Sequence, residues 1–72
     1  MIDWADCTAV ERSPDIVSGA WRFRGTRVAV KALFENIEGG ATVIEFLEWF
    51  PGVERTQVDA VLEYAQRGLE AA

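Results

Sequence analysis

GGATVIEFLEWFPGVERT, residues 39–56, decides the fold. Gly39-Gly40 reads as a helix stop, because glycine takes the left-handed conformation after a last helical turn without a Cβ penalty. Thr42-Val43-Ile44-Glu45 then fits a capping box: the Thr42 hydroxyl accepts from the Glu45 N–H while the Glu45 carboxylate reaches back. Val43, Phe46, Leu47 and Phe50 fall on one face of the helix so begun. Pro51-Gly52 stops it. Thr56 is placed to cap another, with Asp59 three residues on in an acidic first turn. Two helices joined by residues 51–55 have the spacing of a helix-turn-helix pair.

Working outward, Val58, Val61, Leu62, Ala65 and Leu69 continue at helical spacing, with Arg67 near the C-terminal end where a cation suits the dipole. Upstream, Val30, Leu33, Phe34 and Ile37 sit at i, i+3, i+4, i+7. They predict a helix that starts near residues 27–29 and ends at about Glu38. Before it the signals change. Ser13-Pro14-Asp15, Ser18-Gly19 and Arg24-Gly25-Thr26 are turn signals. They bound two short strand candidates, residues 8–12 and 21–24. In the second, Trp21 and Phe23 alternate with Arg22 and Arg24, the pattern of a strand with one apolar face. Residues 1–7 are open to fraying, although Ile2 and Trp4 suggest a docked N-terminal arm. The expected architecture is mainly α: one domain, residues 1–72, with a β-arm or short hairpin over 1–26 and a three-helix bundle over 27–72.

The chain has 72 residues, half of them hydrophobic, and a net charge of −5. That apolar content excludes a disordered chain. No uncharged stretch exceeds six residues, which argues against a membrane span or the apolar part of a signal peptide. Cys7 is the sole cysteine and histidine is absent. No internal disulfide can form, and most metal sites and the Ser-His and Cys-His schemes are removed. The default compartment is the cytoplasm, and no cofactor or enzymatic activity is expected. Three Trp, four Phe and one Tyr are more than one small core is expected to hide. The surplus argues for a homodimer or a complex with another protein.

Charge is distributed unevenly. Residues 1–31 carry Arg12, Arg22, Arg24, Arg27 and Lys31 against Asp3, Asp6, Glu11 and Asp15, a net of +1. Residues 32–72 carry Arg55 and Arg67 against eight carboxylates, a net of −6. The basic cluster Arg22, Arg24, Arg27 and Lys31 is the first nucleic-acid candidate, its guanidinium groups suited to phosphates. The competing reading pairs Arg24 and Arg27 with the chain's own carboxylates. A third makes the 24–27 block structural, with Gly25 at positive φ and Thr26 capping the first helix. Arg55 and Gln57, at the start of the last helix, are the second candidate, because such positions face base edges and Arg reads guanine while Gln reads adenine. Glu54, Asp59 and Glu63 beside them oppose phosphate. Trp21, Ile44 and Trp49 are the candidate protein-interface residues. The i, i+3 pairs Glu35/Glu38 and Glu45/Glu48 read as solvated helix faces, and Cys7 as a tolerated free thiol.

The sequence also resembles a family. Ser18-Gly19 leads to Trp21-Arg22-Phe23-Arg24-Gly25-Thr26-Arg27-Val28-Ala29-Val30; then come Gly39-Gly40, the capped short helix, Phe50-Pro51-Gly52-Val53, Thr56 and Val61-Leu62-Glu63-Tyr64-Ala65. In order and spacing these blocks are similar to the bacterial and archaeal family called domain of unknown function 433, over about residues 8–66. The chain departs from the family pattern at Ala29, where a proline is usual, and at Ala20, where a glycine is usual. The resemblance implies a homeodomain-like three-helix bundle with a β-arm. It also implies the antitoxin half of a toxin–antitoxin pair, beside a PIN-like ribonuclease toxin, with binding of the toxin and of operator DNA. The alternative is a protein-interaction or oligomerisation module that binds no nucleic acid.

Overall fold

The computed structural model describes residues 2–70; Met1, Ala71 and Ala72 lie outside it. Strands β1 (Val10–Glu11) and β2 (Arg22–Phe23) precede helices α1 (Val30–Glu38), α2 (Val43–Trp49) and α3 (Arg55–Glu70), with single 3₁₀ turns at Trp4–Asp6 and Val17–Gly19. The fold is mainly helical, with three helices and one small hairpin, as the periodicities predict.

The hairpin is antiparallel, with Val10 opposite Phe23 and Glu11 opposite Arg22. A third segment lies along the far edge of β2. The Phe23 N–H donates to the Val28 carbonyl at 2.9 Å and the Val30 N–H to the Trp21 carbonyl at 2.9 Å. These bonds hold Ala29 extended, at φ −65° and ψ 141°. That is why α1 starts at Val30 and not at 27–29: the residues ahead of it are already pledged to β2. Thr26 does not cap α1. Its hydroxyl donates to the Phe23 carbonyl at 2.8 Å and accepts from the Val28 N–H at 3.0 Å, closing the turn between β2 and that segment. The Ser13–Ile16 turn forms as expected, with the Ile16 N–H on the Ser13 carbonyl at 3.2 Å. In the next turn Val17 has φ 51° and Ser18 φ 54°, left-handed values that a β-branched residue such as Val17 rarely adopts.

α1 ends in a Schellman arrangement. The Gly40 N–H donates to the Ile37 carbonyl and the Ala41 N–H to the Asn36 carbonyl, both at 3.0 Å, with Gly40 at φ 102°. The capping box of α2 is complete: the Glu45 N–H donates to Thr42 Oγ1 at 3.1 Å and the Thr42 N–H to Glu45 Oε1 at 2.9 Å. The start of α3 differs from expectation. The helix begins at Arg55, one residue ahead of Thr56. The Glu54 carbonyl accepts from the Gln57 and Val58 N–H groups, and Gln57 Oε1 accepts from the Glu54 N–H at 2.9 Å. Gln57 thus supplies the returning half of a capping box, and Thr56 lies inside the first turn.

The core gathers Cys7, Val10, Phe23, Val30, Leu33, Phe46, Val53, Val58 and Val61. Phe46 is central, its ring 6.1 Å from Phe23 and 4.8 Å from Phe50. The N-terminal arm docks as the sequence suggests. Trp4 stacks on Tyr64 at 5.3 Å, the Tyr64 hydroxyl donates to the Asp3 carbonyl, and Ile2 packs against Gly68, where an added Cβ would come within 3.1 Å of Ile2 Cγ1. Not every apolar stripe is covered. Phe34 and Ile37 on α1 remain partly exposed, and Leu69 on α3 is 71 % exposed.

Thr42→Ala removes the acceptor of the Glu45 N–H and should destabilise the fold by ~1 kcal/mol. Urea denaturation measures this directly; an unchanged midpoint would show that the cap contributes nothing.

Candidate functional site

Glu11 organises the basic cluster. Register places it opposite Arg22 on the hairpin, and the positive φ of Gly25, 77°, turns the following loop back over it. Its Oε2 accepts from the Gly25 N–H at 2.8 Å and from Arg22 Nη2 at 3.2 Å. Its Oε1 accepts from Arg24 Nη1 at 3.3 Å. The Gly25 N–H, with the Arg22 and Arg24 charges behind it, holds the Glu11 carboxyl below the usual glutamate range, although burial works the other way.

The arginines are correspondingly engaged. Arg22 is 7 % exposed; its Nη1 donates to Ser13 Oγ at 3.1 Å, and its buried Nε has no partner. The alternation around Trp21–Arg24 had placed Arg22 on a solvent face. Instead Arg22 and Phe23 are both buried: Phe23 enters the core on one face, and on the other Arg22 lies against Glu11 and Ser13. Arg24 donates from Nε to the Thr8 carbonyl and from Nη2 to the Val10 carbonyl, each at 2.9 Å. The 24–26 turn is therefore built from internal bonds. Of the four basic residues in the cluster, Arg24, Arg27 and Lys31 are exposed, and Arg27 and Lys31 form no ion pair among the described residues.

The start of α3 is likewise occupied. Gln57 uses both ends of its amide: Oε1 on the Glu54 N–H, and Nε2 donating to the Arg24 carbonyl at 3.0 Å. It ties α3 to the turn after β2. Arg55 lies 3.6 Å from Asp59, with both side chains well exposed, a contact weak enough to open. The interface candidates separate. Trp21 is half-buried against the core, with the Arg12 guanidinium 4.6 Å over its ring. Ile44 is 60 % and Trp49 55 % exposed. A cleft of about 340 Å³ opens beside Trp49, lined by Glu35, Asn36, Gly39, Gly40, Ala41 and Glu45. Sequence reading missed both Glu11, whose partners depend on hairpin register, and this cleft, which forms only when the end of α1 meets α2. Among the described residues no three carboxylate, thiol or imidazole groups gather where they could hold a metal ion, and no helix is long and apolar enough to cross a membrane.

The Glu11 cluster makes a pH-dependent prediction. A carboxyl whose pKa is lowered by folding stabilises the native state above its ordinary pKa, and that contribution fades as pH falls through the folded value. Glu11→Gln should therefore destabilise the protein most at neutral pH. The gap from wild type should narrow below about pH 4.3, the ordinary glutamate value. Urea midpoints at pH 7, 5 and 3.5 test this; a gap of constant size would count against the ionised cluster.

No curated protein and no solved structure matches the chain. A family profile does, over residues 10–65, which span both strands, α1, α2 and most of α3. The chain belongs to the family described as Protein of unknown function (DUF433).

Proposed function

We propose that the chain is a small antitoxin-like regulator whose principal ligand is a partner protein. The observation that carries this reading is the pair of exposed apolar side chains on α2, Ile44 and Trp49, in a chain whose other aromatics mostly pack on the core. The apolar surplus that argued for association reduces, among the described residues, to Phe34, Ile37, Ile44, Trp49 and Leu69. Large exposed aromatic and aliphatic groups of this kind favour a protein surface. The partner implied by the family resemblance is a PIN-like ribonuclease toxin. Co-expression with the product of the adjacent reading frame should yield a co-purifying complex and relieve any growth arrest caused by that product. A neighbour that neither binds nor arrests growth would leave the interaction module without a toxin as the better reading.

Operator binding is the second reading, supported by two exposed cations, Arg27 ahead of α1 and Lys31 in its first turn. Arg22 is buried, and Arg24, though exposed, is tethered by Glu11 and two backbone carbonyls, so the two basic side chains without internal partners among the described residues are the first candidates for phosphate contact. Fluorescence anisotropy on the upstream DNA at several salt concentrations should show Arg27→Ala and Lys31→Ala weakening all sequences alike, each flattening the salt slope by about one unit. Arg55→Ala should change the preference at particular base pairs. Wild type that binds no DNA, with or without its partner, removes this reading and leaves the first intact.

A further inference from the structure

The surroundings of Trp49 say what kind of partner fits. Residues 32–54 carry Glu35, Glu38, Glu45, Glu48 and Glu54 and no Lys or Arg. None of these five carboxylates forms an ion pair among the described residues. Four of the five exposed large apolar side chains, Phe34, Ile37, Ile44 and Trp49, lie in the same stretch. The surface therefore combines apolar anchors with charge of a single sign. Glu35, Glu45 and Trp49 line one cleft. Glu45 uses Oε1 for its cap, and Oε2 has no hydrogen-bond partner among the described residues. The cleft also takes in Gly39 and Gly40 at the end of α1, where the helix dipole favours a cation.

We propose that the cleft between the end of α1 and α2 docks a basic, arginine-bearing segment of a partner protein. A guanidinium sits between the Trp49 indole and the carboxylates of Glu35 and Glu45. A guanidinium matches this site better than an ammonium does, because it stacks on the indole face and donates to two carboxylates from one plane. Charge complementarity selects this occupant over a face-to-face second copy, which would set the same carboxylates against one another. The proposal rests on the protein-partner reading and names its surface and chemistry.

The test uses the whole chain, ¹⁵N-labelled, and two synthetic peptides of equal length. One carries Arg and Leu on one helical face; the other has Glu at each Arg position. The Arg peptide should shift the Trp49 indole N–H and the amides of residues 35–41 and 45–49, and the Glu peptide should leave them in place. Glu35→Gln and Trp49→Ala, both at exposed positions, should each weaken binding about tenfold with the helical circular dichroism unchanged. Glu70→Gln removes the same charge at a distant position and should weaken it far less. Shifts spread over the whole acidic surface, or equal losses in Glu35→Gln and Glu70→Gln, would mean general charge attraction and overturn the proposal. Self-association of wild type that Trp49→Ala abolishes would also overturn it, by making a second copy the occupant. A co-expressed partner that binds wild type and both cleft variants equally would sink this docking site while leaving the partner reading standing.

Discussion

One carboxylate on a two-residue strand holds together the half of the molecule that has no helix. Glu11 accepts from the Gly25 N–H and from two arginines, so the turn after β2 cannot leave β1 without uncovering Arg22, a charged side chain buried nearly as deeply as its neighbour Phe23. Two strands of two residues are far too short to persist by ladder bonds alone. The ionic cluster on one side and Phe23 in the core on the other fix the hairpin between them. That placement sets the line along which residues 28–30 run, and so the point at which α1 can begin. Gln57 carries the constraint on to α3 through the Arg24 carbonyl.

The same arrangement explains why a basic cluster in the sequence yields so little basic surface. Glu11 holds Arg22 inside the arm and tethers Arg24, whose side chain stays half exposed. In the acidic half Arg55 and Arg67 pair with Asp59 and Glu63. Its carboxylates between 32 and 54 stand in solvent around the least covered apolar side chains of the fold. Charge asymmetry in the sequence thus persists on the folded surface, with the carboxylates of residues 32–54, unpaired among the described residues, gathered in one stretch.

What could be read in advance follows from how local each feature is. The Thr42–Glu45 box, the Gly39-Gly40 stop and the three helical stripes depend on residues within four positions of one another, and all three helices were legible. The start of α1 was not, because extended backbone at Ala29 is imposed by β2, which is distant in helical terms though near in space. Thr56 looked like a cap by residue type, yet Gln57 performs the reciprocal role with help from a carbonyl 33 positions away. Arg22 reads as a solvent-facing alternation partner because the pattern assumes one covered face, and the Glu11 and Ser13 side chains that cover the other are 11 and 9 positions away. For the candidate site, Ile44 and Trp49 were legible as residues left over once the inner face of α2 was assigned. The cleft that gives Trp49 its carboxylate neighbours needed the angle between two helices, which no spacing in the chain encodes.

The clasp between the N-terminal arm and α3 has a kinetic meaning. The Tyr64 hydroxyl reaches the Asp3 carbonyl across 61 positions of sequence, so that contact closes a loop of nearly the whole chain. Loop closure grows costlier with separation, and contacts of such range slow a transition state that must contain them. The core around Phe46 draws on none of residues 2–6 except the flanking Trp4. Physical expectation therefore places docking of Trp4 after that core has collapsed. Its loss would show as faster unfolding with little change in the rate of folding, so the arm acts as a latch on a structure already assembled.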